Sequence, residues 1–304
     1  MGDFFDKPQL VVTAPPELPE LRQSRIIGNS KNFWLWNEKD GFDLTHPQDP
    51  ASEPITPRLK FQATDATITI SPKKTALLIV DMQNVWLMEP FNPRGPGHDA
   101  EDILLKFGIP AAREAGIQVV WLNWGLSDND LESINPTTQR IFDFGPDGSP
   151  TFDIGIGHEI GLVKLEDGEY VDAGRFLMRD QLNTDIHGPL KAAYHEGLSC
   201  SLPDVRFNKN RISGMCESMT ECTDFLKDGG LTTLLFTGVN TDVCVAATLQ
   251  DASLKKFDTI LLKDGCGTTN GEDARKVTEE SCRKAWGFLS TCRELEQGVR
   301  DMME

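Results

Sequence analysis

Five consecutive apolar residues, Ala76 to Val80, end abruptly on Asp81. A strand with one wet face alternates apolar and polar side chains, so an unbroken run of this length marks a strand covered on both faces. Ile117–Leu122, Thr233–Thr237 and Phe257–Leu262 repeat the pattern, the last ending at Lys263-Asp264-Gly265, with shorter strand candidates at Val205–Lys209 and Trp286–Leu289. Helical segments fall between them. One covers about 100–115 with an interruption near Gly108-Ile109-Pro110, and another covers Met215–Lys227 and is stopped by Gly229-Gly230. Asp242–Leu254 carries Ala246, Ala247 and Ala252 for close packing, Glu272–Lys284 follows, and a charged helix closes the chain. Strands alternating with helices predict a parallel sheet sandwiched between helices, with right-handed crossovers.

The rhythm covers only part of the 304 residues. Residues 1–70 form an extension rich in Pro, Asp and Glu, with an aromatic knot at Phe33–Trp36. It is expected to pack on the core or on a neighbouring subunit. Residues 71–304 form the main domain, interrupted at about 125–204 by a stretch rich in Gly, Pro and Asp such as Gly145-Pro146-Asp147-Gly148. That stretch is too long for an ordinary connection and reads as a functional insertion with structure of its own. Within it, Gly155 to Gly161 imitates a dinucleotide fingerprint, but its last spacing is one residue too long and no strand precedes it.

Charge and cysteine usage narrow the function classes. A net charge of −17 opposes nucleic acid and anionic membranes as partners. No apolar run is long enough to cross a bilayer. Met1–Pro8 lacks the basic start and apolar stretch of a secretory signal, so a cytoplasmic location is expected. Seven cysteines, an odd count without a Cys-x-x-Cys pair, and five scattered histidines argue for reduced thiols and against a structural zinc site.

Three polar residues sit at or near the carboxyl ends of strands, where open α/β sheets bind ligands. Asp81 directly follows the first buried strand; desolvation there raises a carboxyl pKa and suits it to proton transfer, although a turn or cap aspartate looks the same. Cys244 lies at the start of a helix after a strand and tight turn, where the macrodipole stabilises a thiolate and unpaired N–H groups can receive an oxyanion; an inert buried cysteine is the bland alternative. Lys209 follows a strand candidate and, beside a thiol and a carboxylate, would lower the pKa of both. Arg211 is a rival cation, and an ordinary surface lysine is the plain reading.

Taken together, Thr75–Asn84 (TALLIVDMQN), Lys209–Ser213 (KNRIS) and Thr237–Val245 (TGVNTDVCV) resemble, in this order, the isochorismatase-like hydrolases. The resemblance covers roughly 72–124 and 205–291, and the cysteine segment is its most specific part. It implies a three-layer α/β/α fold with a six-stranded parallel sheet ordered 3-2-1-4-5-6. It also implies a catalytic triad of Asp81, Lys209 and Cys244, a cis peptide between Val239 and Asn240, and an oxyanion hole from the N–H groups of Asn240 and Cys244. Trp86 and Trp124 are substrate-binding candidates. The expected chemistry is hydrolysis of a small-molecule amide through a thioester, without metal or cofactor, in a homo-oligomer. Metal-using relatives carry an Asp-x-His element where this chain has Trp121–Gly125 (WLNWG). Vinyl-ether hydrolysis of isochorismate is the alternative activity. A catalytically silent binding protein on the same fold is the alternative of another class.

Overall fold

The run at Ala76 lies in the middle of a six-stranded sheet, buried along its whole length. The computed structural model describes residues 24–304 apart from 53, 146–147, 152–154, 166 and 217–219. The secretory-signal reading at Met1–Pro8 therefore lies outside the described residues.

Residues before the sheet, where no period is readable, form strands β1 (Arg25–Asn29), β2 (Asn32–Asn37), β3 (Gly41–Asp43), β4 (Leu59–Gln62) and β5 (Thr67–Ile70). They make one sheet in the order β1-β2-β3-β5-β4, antiparallel except for the β3·β5 pair. The main sheet begins with β6 (Thr75–Val80), followed by helices α1 (Asn84–Leu87), α2 (Pro96–Ile103) and α3 (Ile109–Ala115), and then β7 (Gln118–Trp124). The next stretch holds helices α4 (Asp128–Leu131) and α5 (Pro136–Asp143), the hairpin β8 (Leu162–Lys164) and β9 (Tyr170–Asp172), and helix α6 (Gly188–Gly197). The pattern resumes with β10 (Val205–Lys209), α7 (Glu221–Asp228), β11 (Thr233–Val239), α8 (Ala246–Leu254), β12 (Asp258–Gly267), α9 (Glu272–Ser281), β13 (Phe288–Ser290) and α10 (Cys292–Met303).

All six main strands are parallel and run β10-β7-β6-β11-β12-β13. Numbered by their order in the chain, this is 3-2-1-4-5-6, as the resemblance implies. Successive side chains of a strand point to opposite faces. Leu77 and Ile79 of β6 accordingly join one apolar cluster with α2, α3, α6 and α10, while Ala76, Leu78 and Val80 join another with α7 and α8. The result is a three-layer α/β/α domain.

Several boundaries differ from those read in the sequence, each for a local reason. The break expected near Pro110 is a π-helical turn, Leu104–Gly108. Proline offers no N–H, and the wider turn lets the Ile109 N–H reach the Leu104 carbonyl, so the axis continues into α3. Helix α7 starts at Glu221 because the Thr220 side chain caps it, accepting from the Thr223 N–H at 3.1 Å. The N-terminal part of the helix expected at Met215–Lys227 is therefore not helical at Met215 or Cys216, and residues 217–219 are outside the described set. Strand β12 does not stop at Lys263-Asp264-Gly265 but runs on to Gly267 after a register shift opposite Phe236 and Gly238.

The small N-terminal sheet packs on the α10 side of the domain. Leu59, Phe61, Ile68 and Ile70 share an apolar cluster with Leu295 and Val299. Gly298 of α10 allows this approach, since a Cβ there would lie 2.6 Å from the Lys60 carbonyl oxygen. Asp258, at the start of β12, fastens the sheet from its other end. Its carboxylate accepts the Trp34 indole N–H at 2.7 Å and meets His46 Nε2 at 2.6 Å. Among the described residues no helix is long and apolar enough to cross a membrane.

Because Asp258 ties two sheets together, Asp258→Ala is expected to lower stability by about 2–3 kcal/mol, the scale of lost hydrogen bonds to a charged group. Unfolding should remain one cooperative transition. Urea denaturation followed by tryptophan fluorescence measures both; a separate early transition without loss of main-sheet stability would show that the small sheet unfolds on its own.

Candidate active site

Four adjacent strands deliver their carboxyl ends to one place. Asp81 follows β6, Trp124 ends β7, Lys209 ends β10, and Cys244 follows β11 through the turn at Asn240. The register keeps these ends level, with Val80 opposite both Leu122 and Gly238, and Trp124 opposite Lys209. The three residues expected from the sequence thus meet. Lys209 Nζ lies 3.0 Å from Asp81 Oδ2 and donates to Cys244 Sγ at 3.5 Å. All are withdrawn from water, at 1% exposure for Asp81, 4% for Lys209 and 7% for Cys244.

Local backbone devices aim these side chains. Asp81 has φ +54°, a left-handed conformation that a non-glycine residue holds only when its surroundings demand it. Its N–H still donates to the Leu122 carbonyl at 3.0 Å. Past β11, Gly238 has φ +111°, and a Cβ there would meet the Val80 carbonyl oxygen at 2.0 Å. The Val239–Asn240 peptide is cis, as the resemblance implies. Thr241–Val245 then forms a π-helical turn that runs straight into α8, so Cys244 sits inside a wide first turn and not in the regular helix expected from Asp242. The Thr248 hydroxyl donates to the Cys244 carbonyl at 2.7 Å and pins that turn.

Lys209 is held from several sides. Its Nζ donates to the carbonyls of Arg211 at 3.1 Å and Ile212 at 3.2 Å, and it stands 3.7 Å above the Trp124 ring centroid. Arg211, the rival cation, points elsewhere: its guanidinium donates to the Asn210 carbonyl and to the Ser133 carbonyl and hydroxyl. Asp81 Oδ1 accepts the Trp124 backbone N–H at 3.2 Å. Oδ2 faces Lys209 without a well-directed hydrogen bond, so a lone pair is left over.

Burial dominates the protonation balance. It raises the pKa of the Asp81 carboxyl above the ordinary carboxylate value, against the opposing pull of Lys209. It also pushes the Cys244 thiol up to about 12; Lys209 pulls it down, and the Asp81 charge adds to the rise. The expectation that lysine lowers both groups describes the direction of its own effect, but desolvation is larger at each. Burial therefore favours the neutral thiol over the thiolate at Cys244.

Sequence reasoning assigned no role to Gln83 or Phe142. Gln83 is fully buried; its Oε1 accepts the Trp124 N–H at 2.9 Å, and its Nε2 donates to the carbonyls of Trp124 at 2.8 Å and Thr184 at 2.7 Å. It lies within the Thr75–Asn84 motif, which was the available signal. Phe142 of α5 packs its ring 6.3 Å from Trp86 and 5.5 Å from Trp124, and Phe176 packs on Phe142 at 5.8 Å. The stretch after β7 thus covers the strand ends. Asn210 and Arg211, just past Lys209, grip its Asp130 and Ser133. Among the described residues no group of three or more His, Cys, Asp or Glu side chains is placed to hold a metal ion.

Comparison with known proteins follows the same outline. The chain is 26% identical over 229 residues to the ureidoacrylate amidohydrolase of Enterobacter sp. (strain 638), which spans 74% of this chain and 88% of that protein. To the enzyme of the same name from Serratia proteamaculans (strain 568) it is 26% identical over 248 residues, 80% of this chain and 88% of the other. Among solved structures, a cysteine hydrolase from Pseudomonas syringae pv. phaseolicola 1448A superposes with a TM-score of 0.54 at 16% identity, covering 82% of this chain and all of that one (100%). A nicotinamidase from Bacillus subtilis gives 0.52 at 17% identity, covering 71% and 99%. These two share the fold, which does not by itself assign a reaction. The isochorismatase domain model matches residues 75–284, which spans all the strand ends described above from β6 to β12. The chain belongs to the isochorismatase family.

Proposed function

We propose that this chain is a cysteine-dependent hydrolase that cleaves the C–N bond of a small amide through a thioester. The observation that carries the reading is one buried ammonium within 3.0 Å of a carboxylate and 3.5 Å of a thiol. The curated relatives are named for hydrolysis of ureidoacrylate, and a structural relative for nicotinamide, so a ureido or simple amide group is the substrate class.

The chemistry follows from charge conservation in a dry site. A thiol with pKa near 12 yields almost no free thiolate at neutral pH, so its proton leaves as the sulfur attacks. Asp81 Oδ2 takes that proton while a C–S bond forms and the carbonyl electrons move to oxygen. Negative charge leaves the carboxylate as it builds on the substrate, and Lys209 stands beside both centres, so the buried cation is never uncompensated. Backbone N–H groups of Asn240 and Cys244 receive the oxyanion. Collapse expels the amine, which takes the proton from Asp81, and leaves a thioester. Water then attacks, giving its proton to Asp81, and the acid departs as the sulfur regains a proton.

Trp86 is the substrate-binding candidate that stays half-buried, with its ring 6.3 Å from Phe142; its indole N–H is itself sealed from water and has no partner among the described residues.

Cys244→Ala is expected to reduce turnover of ureidoacrylate or nicotinamide by at least about 1000-fold, the scale of losing a covalent nucleophile. Intact-mass analysis of a quenched wild-type reaction should show acyl adduct on that cysteine. Isochorismate hydrolysis that survives the substitution would replace the amide reading with vinyl-ether cleavage. Absence of turnover on every amide and on isochorismate would favour a silent binding protein.

Lys209→Met provides a second test through stability. Removing the ammonium leaves Asp81 buried without its counter-charge, so its folded pKa rises further above the unfolded value. A raised carboxyl binds its proton more tightly in the folded state, so that contribution is present at low pH and is lost as pH rises through the folded pKa. The variant's deficit should be smallest near pH 4, where only the lost carbonyl and ring contacts of Nζ count, and should grow by about 3–5 kcal/mol by pH 8. Urea denaturation across that range measures it; a pH-independent deficit would contradict the ion-pair assignment.

A further inference from the structure

We propose that Gln83 is a positioning residue for Asp81: its side-chain amide takes the larger share of the Trp124 backbone N–H and so sets how tightly the carboxyl holds a proton. That Asp81 is the proton acceptor of a hydrolase rests on the proposed function; the sharing itself stands on the hydrogen bonds around one peptide group.

The Trp124 N–H meets two acceptors at once, Gln83 Oε1 at 2.9 Å and Asp81 Oδ1 at 3.2 Å. One proton divided in this way is held more weakly by each, and the shorter distance favours the amide. Chemistry fixes which way that amide points. Its other end meets two carbonyls, of Trp124 at 2.8 Å and of Thr184 at 2.7 Å, and only an NH2 group can donate to both. A turned-over amide would set oxygen against two carbonyls and NH2 against an N–H, so Oε1 must face the contested proton. Gln83 is fully buried, and no bulk water competes for these bonds. Backbone bonds hold it there. Its own N–H donates to the Asp81 carbonyl at 2.8 Å, the Asn84 N–H to the Asp185 carbonyl at 2.9 Å, and the His187 N–H to the Met82 carbonyl at 3.0 Å. The loop after β6 is thereby laced to residues 184–187.

The consequence falls on Asp81. Its Oδ1 receives only the longer branch of a shared N–H, and its Oδ2 stands 3.0 Å from the Lys209 ammonium. An N–H given whole to a carboxylate favours the charged form. By diverting that N–H, Gln83 leaves the carboxylate short of donors, in the same sense as its burial. Such a carboxylate suits a residue that must take a proton from a weakly acidic thiol. The titratable groups facing Asp81 are Lys209 directly and Cys244 across that ammonium, and both are kept in the variant below.

The test is a titration of Asp81 that needs no substrate. Its carboxyl carbon resonance, identified by its loss in Asp81→Asn, is followed by NMR from about pH 4 to 9 in the full-length wild type and in Gln83→Met. Methionine keeps the length of the side chain and removes both ends of the amide. The proposal predicts a midpoint lowered by about one pH unit, a tenfold weaker hold on the proton. It also predicts that the Trp124 amide proton resonance moves farther during the titration, because its N–H then belongs to the carboxylate alone. Water entering a loosened site would lower the midpoint too, but it would shrink that response. An unmoved or raised midpoint, or a smaller Trp124 response, overturns the proposal. Should the variant fail to fold, the unmutated protein gives the answer: the coupling across the hydrogen bond from the Trp124 nitrogen must be larger to the Gln83 amide carbon than to the Asp81 carboxyl carbon, and the reverse order overturns the sharing. Turnover judges the proposed function separately. The acid limb of kcat/KM in Gln83→Met should move by the same interval as the carboxyl midpoint. A moved carboxyl with an unmoved limb upholds the sharing and removes Asp81 from the proton path.

Discussion

An ion pair between Asp81 and Lys209, sealed under protein at the end of the sheet, governs the rest of the structure. Burying two charges costs several kcal/mol per ion before their attraction is counted, and the pair survives only with further partners. The chain supplies them from four directions: the Trp124 N–H on the carboxylate, two carbonyls and an aromatic face on the ammonium, and the thiol at the side. Removing any one leaves an unpaired polar group in a dry place. The site is thus costly to maintain, and its partners hold a weakly acidic thiol and a basic carboxylate on the same ammonium.

The fold explains how such distant parts of the chain arrive together. A parallel sheet aligns all its carboxyl ends on one edge, and neighbouring strands of this sheet come from well-separated stretches of sequence. Level register brings Asp81, Trp124, Lys209 and the Asn240 turn to the same height. The sheet alone would leave this edge open to water. The stretch after β7 closes it, through Phe142 and Phe176 above the tryptophans and through Asp130 and Ser133 gripping the segment that follows Lys209. Covering the edge raises both pKa values discussed above, so the protonation balance belongs to the assembled domain and not to the triad in isolation.

Much of this was legible in the sequence where burial is complete and period is clear. Ala76–Val80 announces a central strand because no polar residue interrupts it, and the sheet order follows from the family resemblance carried by the same motif. The meeting of Asp81, Lys209 and Cys244 was legible for that reason as well. The N-terminal sheet was not, because β1 has no buried residue and β2 is largely half-buried, so neither shows alternation. Helix α6 was hidden between glycines although Leu190, Ala193 and Gly197 are spaced for one buried face; it serves as the crossover helix before β10 and belongs to the main domain's packing. The sign of the thiol shift was also unreadable. Helix dipole and lysine are visible as neighbours in a motif, whereas the desolvation that outweighs them comes from side chains scattered over the whole chain.

The central claim is that the resting site holds a neutral thiol beside an ionised pair, and that reaction moves one proton from sulfur to carboxylate. Infrared difference spectroscopy between wild type and Cys244→Ala reads this directly. At neutral pH the account predicts an S–H stretching band from Cys244 at rest, which disappears as acyl-enzyme forms. An absent S–H band in the resting protein would mean a preformed thiolate, and the proton path through Asp81 would be wrong.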